Sequence, residues 1–163
     1  MRVTQVIVER VSMPSNKPFE SVLAAIRGGI GHPDMNKLWE EIWSAESFQK
    51  AETIVTAVLG PTGLMQFAEF NDGEFIRKDR GAGTPQAMRL LIGNPLIMKR
   101  MTELVPDAAA YAPVTVLIDE REGKVQVSYD RMASLLSVYR NPGATKIAEG
   151  LDAKIDTLIA NAL

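Results

Sequence analysis

The sequence predicts an α+β fold, a mainly antiparallel sheet with helices packed on one face. Three observations carry that reading. Val114–Tyr129 alternates apolar and polar residues on both sides of Glu122-Gly123, the pattern of a β-hairpin. Asn94-Pro95 and Asn141-Pro142 each pair a capping side chain with a proline suited to a first helical position, ahead of an apolar-periodic run. Strands joined by tight turns must run antiparallel, and helices then cover the sheet. The predicted order is β-α-α-α-β-β-β-α-β-β-α-α.

From the N-terminus, Val3–Val11 is rich in β-branched residues and reads as a strand. Pro14 and Pro18 bracket a loop. Phe19, Val22, Leu23 and Ile26 recur at helical spacing until Gly28-Gly29 stops the run. Asp34 caps a second helix with Leu38, Trp39, Ile42 and Trp43 as its stripe. Ser47 caps a third, which Gly60-Pro61 ends. Leu64–Phe70 reads as a strand, Asn71-Asp72-Gly73 as a turn, and Phe75–Lys78 as a returning strand. Ala87–Ile92 is a further strand, followed by the helix that Asn94-Pro95 opens. After the Val114–Tyr129 hairpin, Asp130 caps a short helix over Arg131–Tyr139. Ile147, Leu151, Ile155, Leu158 and Ala162 then form the apolar side of a last helix, with Lys146, Glu149, Asp152 and Asp156 on its polar side.

Composition narrows the chemistry. The 163 residues fit one domain large enough for its own core. There is no cysteine, which excludes disulfides, thiolate metal sites and thiol nucleophiles. The single histidine, His32, excludes any mechanism that needs two in one chain. A net charge of −2 gives no support to nucleic-acid binding. The N-terminus shows no signal-peptide apolar region and no stretch is long enough for a membrane span, so a soluble, cytoplasmic protein is expected.

The runs RLLIGNP, VPDAAAYAPVTVLIDE and VQVSYD within Arg89–Asp130, together with KPFESVLAAI, LGPTGLMQFAEFNDG and LDAKIDTL, resemble the family named domain of unknown function 302. The order of these elements, more than any one of them, carries the resemblance. It implies a compact α+β domain over residues 1–163, with residues 37–53 as a helical insertion, and members able to dimerise. It brings no catalytic residue, substrate or cofactor.

Candidate chemistry is sparse. His32 in GGIGHPD can serve as a general acid/base with Asp34 to orient it, or as one axial haem ligand, or simply as a loop residue. Gly93 and Asn94, at a strand-to-helix joint, can admit a ligand close to backbone N–H groups, or merely start the helix. Arg89 within an apolar strand faces either solvent or a pocket where its fork would hold a carboxylate. Tyr129 offers a hydroxyl at the core edge. Glu69 and Asp72 flank a turn without metal-site spacing, so no metal is expected. Met88, Met98 and Met101 with Trp39, Trp43, Phe67 and Phe70 can line an apolar pocket or fill the core.

These features support a small-molecule-binding module, a homodimer with no cofactor, no nucleic acid and no membrane. Its ligand would be small and apolar or anionic, held near Arg89, Gly93, Asn94 and Tyr129. An enzyme of isomerase, dehydratase or hydrolase type using His32 is the first alternative, and a structural or interaction protein the second.

Overall fold

The computed structural model describes residues 1 and 3–163. Five strands, β1 (Arg10–Ser15), β2 (Met65–Phe70), β3 (Ala87–Gly93), β4 (Val114–Arg121) and β5 (Lys124–Asp130), form one sheet in the order β1-β5-β4-β3-β2. Every neighbouring pair is antiparallel. The helices are α1 (Phe19–Gly28), α2 (Met35–Ser44), α3 (Phe48–Ala57), α4 (Asp72–Arg80), α5 (Pro95–Leu104), α6 (Met132–Leu136) and α7 (Pro142–Ala162). The α+β class is as the sequence predicts.

Alternation along the strands sends one set of side chains into the main core. Met88, Leu90 and Ile92 of β3, Val116 and Ile118 of β4, and Val127 and Tyr129 of β5 meet Ile26 of α1, Met101 of α5 and Ile155 of α7. Adjacent residues of the chain divide at the start of β2. Leu64 enters the main core, while Met65 joins a smaller cluster with Leu38 of α2 and Val55 of α3. The α2–α3 pair thus has its own apolar anchor.

The β4–β5 hairpin closes through Glu122 at φ 51° and Gly123 at φ 77°. Both turn residues are left-handed, the type I′ geometry that matches strand twist. Asn94 caps α5 by accepting from the Leu96 N–H at 2.8 Å, and Asn141 caps α7 by accepting from the Ala144 N–H at 3.0 Å.

Three local expectations are corrected. The first strand runs over Arg10–Ser15 rather than Val3–Val11, because its partner β5 ends at Asp130, opposite Arg10. Residues 3–9 extend past that end and have no strand to pair with. Pro14 accordingly lies inside the edge strand, not in a loop. Phe75–Lys78 is helical, not a returning strand: the Asn71 side chain accepts from the Glu74 N–H at 2.8 Å, and Arg77 closes on Glu74. β2 finds its antiparallel partner in β3 instead.

The third correction concerns α6. Asp130 does not cap it but forms a two-pronged bond to Arg10, at 2.7 and 2.8 Å. The cap comes from α7, where Asp152 is 2% exposed and accepts from the N–H groups of Met132 and Ala133 at 2.8 and 3.0 Å. Asp152 therefore belongs to the interior rather than to a polar face. Burial pushes its pKa up, and the two N–H donors pull it part of the way back.

Replacing Asp152 with Ala leaves the N–H groups of Met132 (buried) and Ala133 (half-buried) without acceptors, a loss of about 2–6 kcal/mol at roughly 1–3 kcal/mol for each. Chemical denaturation measures it, and a loss below about 1 kcal/mol would contradict the capping role. Because folding raises this pKa, the folded chain holds the proton more tightly than the unfolded one. That contribution is full below the ordinary aspartate range and fades as pH rises through the raised value. Relative to wild type, Asp152→Asn should therefore gain stability as pH rises from acid to neutral, read from paired melting curves.

Candidate functional site

β3 ends at Gly93, where Asn94 and Pro95 turn the chain into α5. A cavity of about 180 Å³ opens at this joint. Its walls come from distant parts of the chain: Trp39 of α2, Phe67 of β2, Met98 and Met101 of α5, Pro113 ahead of β4, and Leu151 of α7. Gly93 makes the space. A Cβ there would meet the Phe67 ring and the Pro113 side chain, both at 3.4 Å. Trp39 is held in place by stacking on Trp43, with ring centroids 5.9 Å apart, and leans on Phe67 at 6.3 Å.

Asn94 contributes the cavity's polar side chain, and both ends of its amide are already engaged. Its oxygen caps α5, and its nitrogen donates to the Gly63 carbonyl at 3.0 Å. Its lining is otherwise apolar, with no ionisable side chain. Such a surface can enclose an uncharged apolar group but cannot supply proton transfer or a nucleophile.

The sequence-predicted ligand-binding residues divide between two places rather than converging on one. Gly93 and Asn94 line the apolar cavity. Arg89 instead pairs with Asp72 at 3.1 Å and lies over the Phe70 ring, 4.5 Å from its centroid. It borders a separate depression of about 230 Å³ with Arg10, Thr115, Ser128, Tyr129 and Asp130. The hydroxyl of Tyr129 points into the helix layer and donates to Asp156 at 2.6 Å. Burial first, and Asp156 second, push its pKa well above the usual tyrosine range, so it does not ionise as an acid near neutral pH.

His32 is exposed, and its Nε2 donates to the Arg27 carbonyl at 2.8 Å. It lines none of the cavities described here. Asp34 is occupied as the cap of α2, accepting from Asn36 and Lys37 N–H at 3.0 and 3.1 Å. Glu69 and Asp72 do not share a site either, since Glu69 binds Arg27 at 2.8 Å.

The glycines around His32 have a packing role. A Cβ on Gly31 would fall on the Val58 carbonyl, and one on Gly60 would fall on the Ile30 backbone. The two segments clasp through Gly31 N–H to Leu64 O and Gly60 N–H to the same oxygen, each 2.9 Å, and through Gln66 N–H to Gly31 O at 2.8 Å.

Of the aromatic and methionine residues expected to line a pocket, Trp39, Phe67, Met98 and Met101 do so. Trp43 and Phe70 are exposed and Met88 is core. Pro113 and Leu151 were not legible as lining residues. A proline before a strand and a leucine on an amphipathic helix carry no local signal of a shared cavity.

A sequence model of the family described as "Domain of unknown function DUF302" matches residues 40–162. Among solved structures, the fold is similar to the crystal structure of an uncharacterized conserved protein DUF302 from Bacillus stearothermophilus. The TM-score is 0.66 at 10% sequence identity, over 94% of this chain and 98% of that one. No curated protein matches.

The clasp and the histidine give opposite expectations within one loop. Gly31→Ala forces a backbone shift and should cost at least about 2 kcal/mol, or prevent folding. His32→Gln keeps a donor on an exposed side chain and should stay within about 0.5 kcal/mol of wild type. Denaturant titration of both variants decides. A neutral Gly31→Ala would dissolve the clasp.

Proposed function

We infer, from the premise that this chain belongs to the DUF302 family, that it is a binding module whose cavity at the β3–α5 joint takes a small, uncharged, apolar ligand. One observation carries the reading: a cavity of about 180 Å³ with an apolar lining, whose polar side chain, Asn94, spends its oxygen on the α5 cap and one of its two N–H groups on the Gly63 carbonyl. An apolar protein cavity of about 150 Å³ is enough to hold benzene. A single aromatic ring or a short branched chain therefore matches the space. Met98, Met101 and Trp39 supply polarizable contact without fixing one orientation.

The enzyme reading has less to stand on, because His32 is exposed, lines none of the cavities described here, and Asp34, the residue expected to orient it, caps α2 instead. A second copy of the chain is the partner we assign to the far end of β2, beyond the part of its edge that Gly31 covers. Phe70, Phe75 and Ile76 are exposed there, at 42%, 82% and 41%.

Benzene, toluene and indole are suitable probes for the cavity. At a hundred times its dissociation constant a ligand stabilises by about 2.7 kcal/mol. For a chain of this size that raises the melting temperature by roughly 5–10 °C. Trp39 emission should change as well, measured with Trp43 replaced by Phe. Gly93→Ala narrows the cavity between Phe67 and Pro113 and should weaken binding while leaving the fold intact. Absence of any thermal or fluorescence response across the three probes would refute the reading.

A further inference from the structure

A third concavity, of about 610 Å³, runs along the outside of α5 and α7. The two helices pass antiparallel. Leu104, at the end of α5, touches Gly143 at the start of α7, and the Asn141 side chain donates to the Leu104 carbonyl at 3.3 Å. At the other end, Asn94 and Lys154 both reach the Thr62–Gly63 backbone. Between these ends the groove is about 15 Å long, from the 1.5 Å rise of ten helical residues.

Its floor is apolar and its charge has one sign. Ile97 and Leu104 of α5 face Ile147 of α7, while Arg100, Lys146 and Lys154 stand over them. Among the described residues no carboxylate lines the groove. Among the described residues, none of these three cations forms a salt bridge. Lys154 donates to the Thr62 carbonyl at 3.1 Å and keeps its charge uncompensated. Glu103, the nearest acid along α5, is taken by Lys99 at 2.6 Å. Three uncompensated cations gathered on a chain of net charge −2 are a local field that the overall composition conceals.

Gly150 keeps the groove open. A Cβ there meets nothing within 4 Å, so its absence serves no packing need. Glycine inside a helix costs roughly 0.5–1 kcal/mol relative to alanine, and here it leaves empty space between Lys146 and Lys154, one turn away on either side.

We propose that the α5–α7 groove binds a monomeric single-chain amphiphile with an anionic head. The chain lies along Ile97, Leu104 and Ile147, and the carboxylate or phosphate head sits between Arg100 and Lys146, with Lys154 adding positive charge at the far end. The length and apolar floor call for a chain rather than a compact ion, and the unmatched cations call for a negative head. This site stands apart from the apolar cavity: the two share only Asn94 in their walls, and nothing in the test below depends on that residue.

The test is calorimetric titration of the full chain with decanoate and decyl phosphate below their micelle concentrations. Decyltrimethylammonium, inorganic phosphate and phosphatidylglycerol vesicles serve as comparison probes. Both anionic chains should bind one to one. Arg100→Gln combined with Lys146→Gln should weaken them by about tenfold or more, the loss of charge-assisted contacts. Gly150→Leu, which fills the groove, should abolish binding. Lys124→Gln, on the hairpin turn, should change nothing. All four positions are exposed, and melting curves confirm that the variants fold. Equal binding of the cationic chain, binding of inorganic phosphate as tight as decyl phosphate, binding to vesicles alone, or indifference to Gly150→Leu would each overturn the proposal.

Discussion

The carboxylate of Asp152 is the constraint on which the C-terminal half depends. It is carried by α7 and spent on the first N–H groups of α6, the helix that leaves the end of β5. One buried group therefore ties the last strand, the short helix and the long helix into one body. Its neighbours extend the tie. Tyr129 of β5 and Arg131 both bond Asp156, one turn further along α7. A five-residue helix is too short to be stable through its own hydrogen bonds, so α6 exists because α7 supplies its cap. α7 in turn covers the sheet and forms one wall of both the cavity and the groove.

A second constraint operates at the other end of the sheet, through backbone rather than side chains. Gly31 and Gly60 allow two loops to approach so closely that the Leu64 carbonyl receives both their N–H groups. This clasp sets where β2 begins, and so where Phe67 stands relative to Gly93. A glycine-rich segment beside the only histidine resembles a catalytic loop on paper. In three dimensions the glycines answer to neighbouring backbone, and the histidine ends a helix.

Legibility followed the range of the interactions. The β4–β5 hairpin, the Asn94-Pro95 and Asn141-Pro142 helix starts and the apolar side of α7 are fixed by neighbours in sequence, and each could be read directly. Asp130 and Asp152 could not be told apart, because choosing the cap of α6 requires knowing that α7 returns beside it. Phe75–Lys78 failed for a related reason: a turn signal at Asn71–Gly73 starts a helix as readily as a hairpin, and only the pairing of β2 with β3 decides. The apolar cavity was half visible. Trp39, Phe67, Met98 and Met101 are conspicuous by type, whereas Pro113 and Leu151 join them only through the meeting of β4 and α7. The basic groove was hidden altogether, since near-neutral composition masks charges that folding segregates.

Pro14 has a consequence for how sheets of separate molecules can meet. The Glu9 carbonyl accepts from the Arg131 N–H, so the odd-numbered residues of this edge direct their backbone toward β5. Pro14 therefore turns its nitrogen outward, and that nitrogen has no hydrogen to offer an incoming strand. One margin of the sheet is blunted, while the β2 margin is covered by Gly31 at its start and open to pairing only beyond Gln66. Growth by strand addition is one-sided: two molecules joined through β2 present only their blunted margins. The fold thereby permits a closed pair and interrupts the open-ended stacking that leads to fibres.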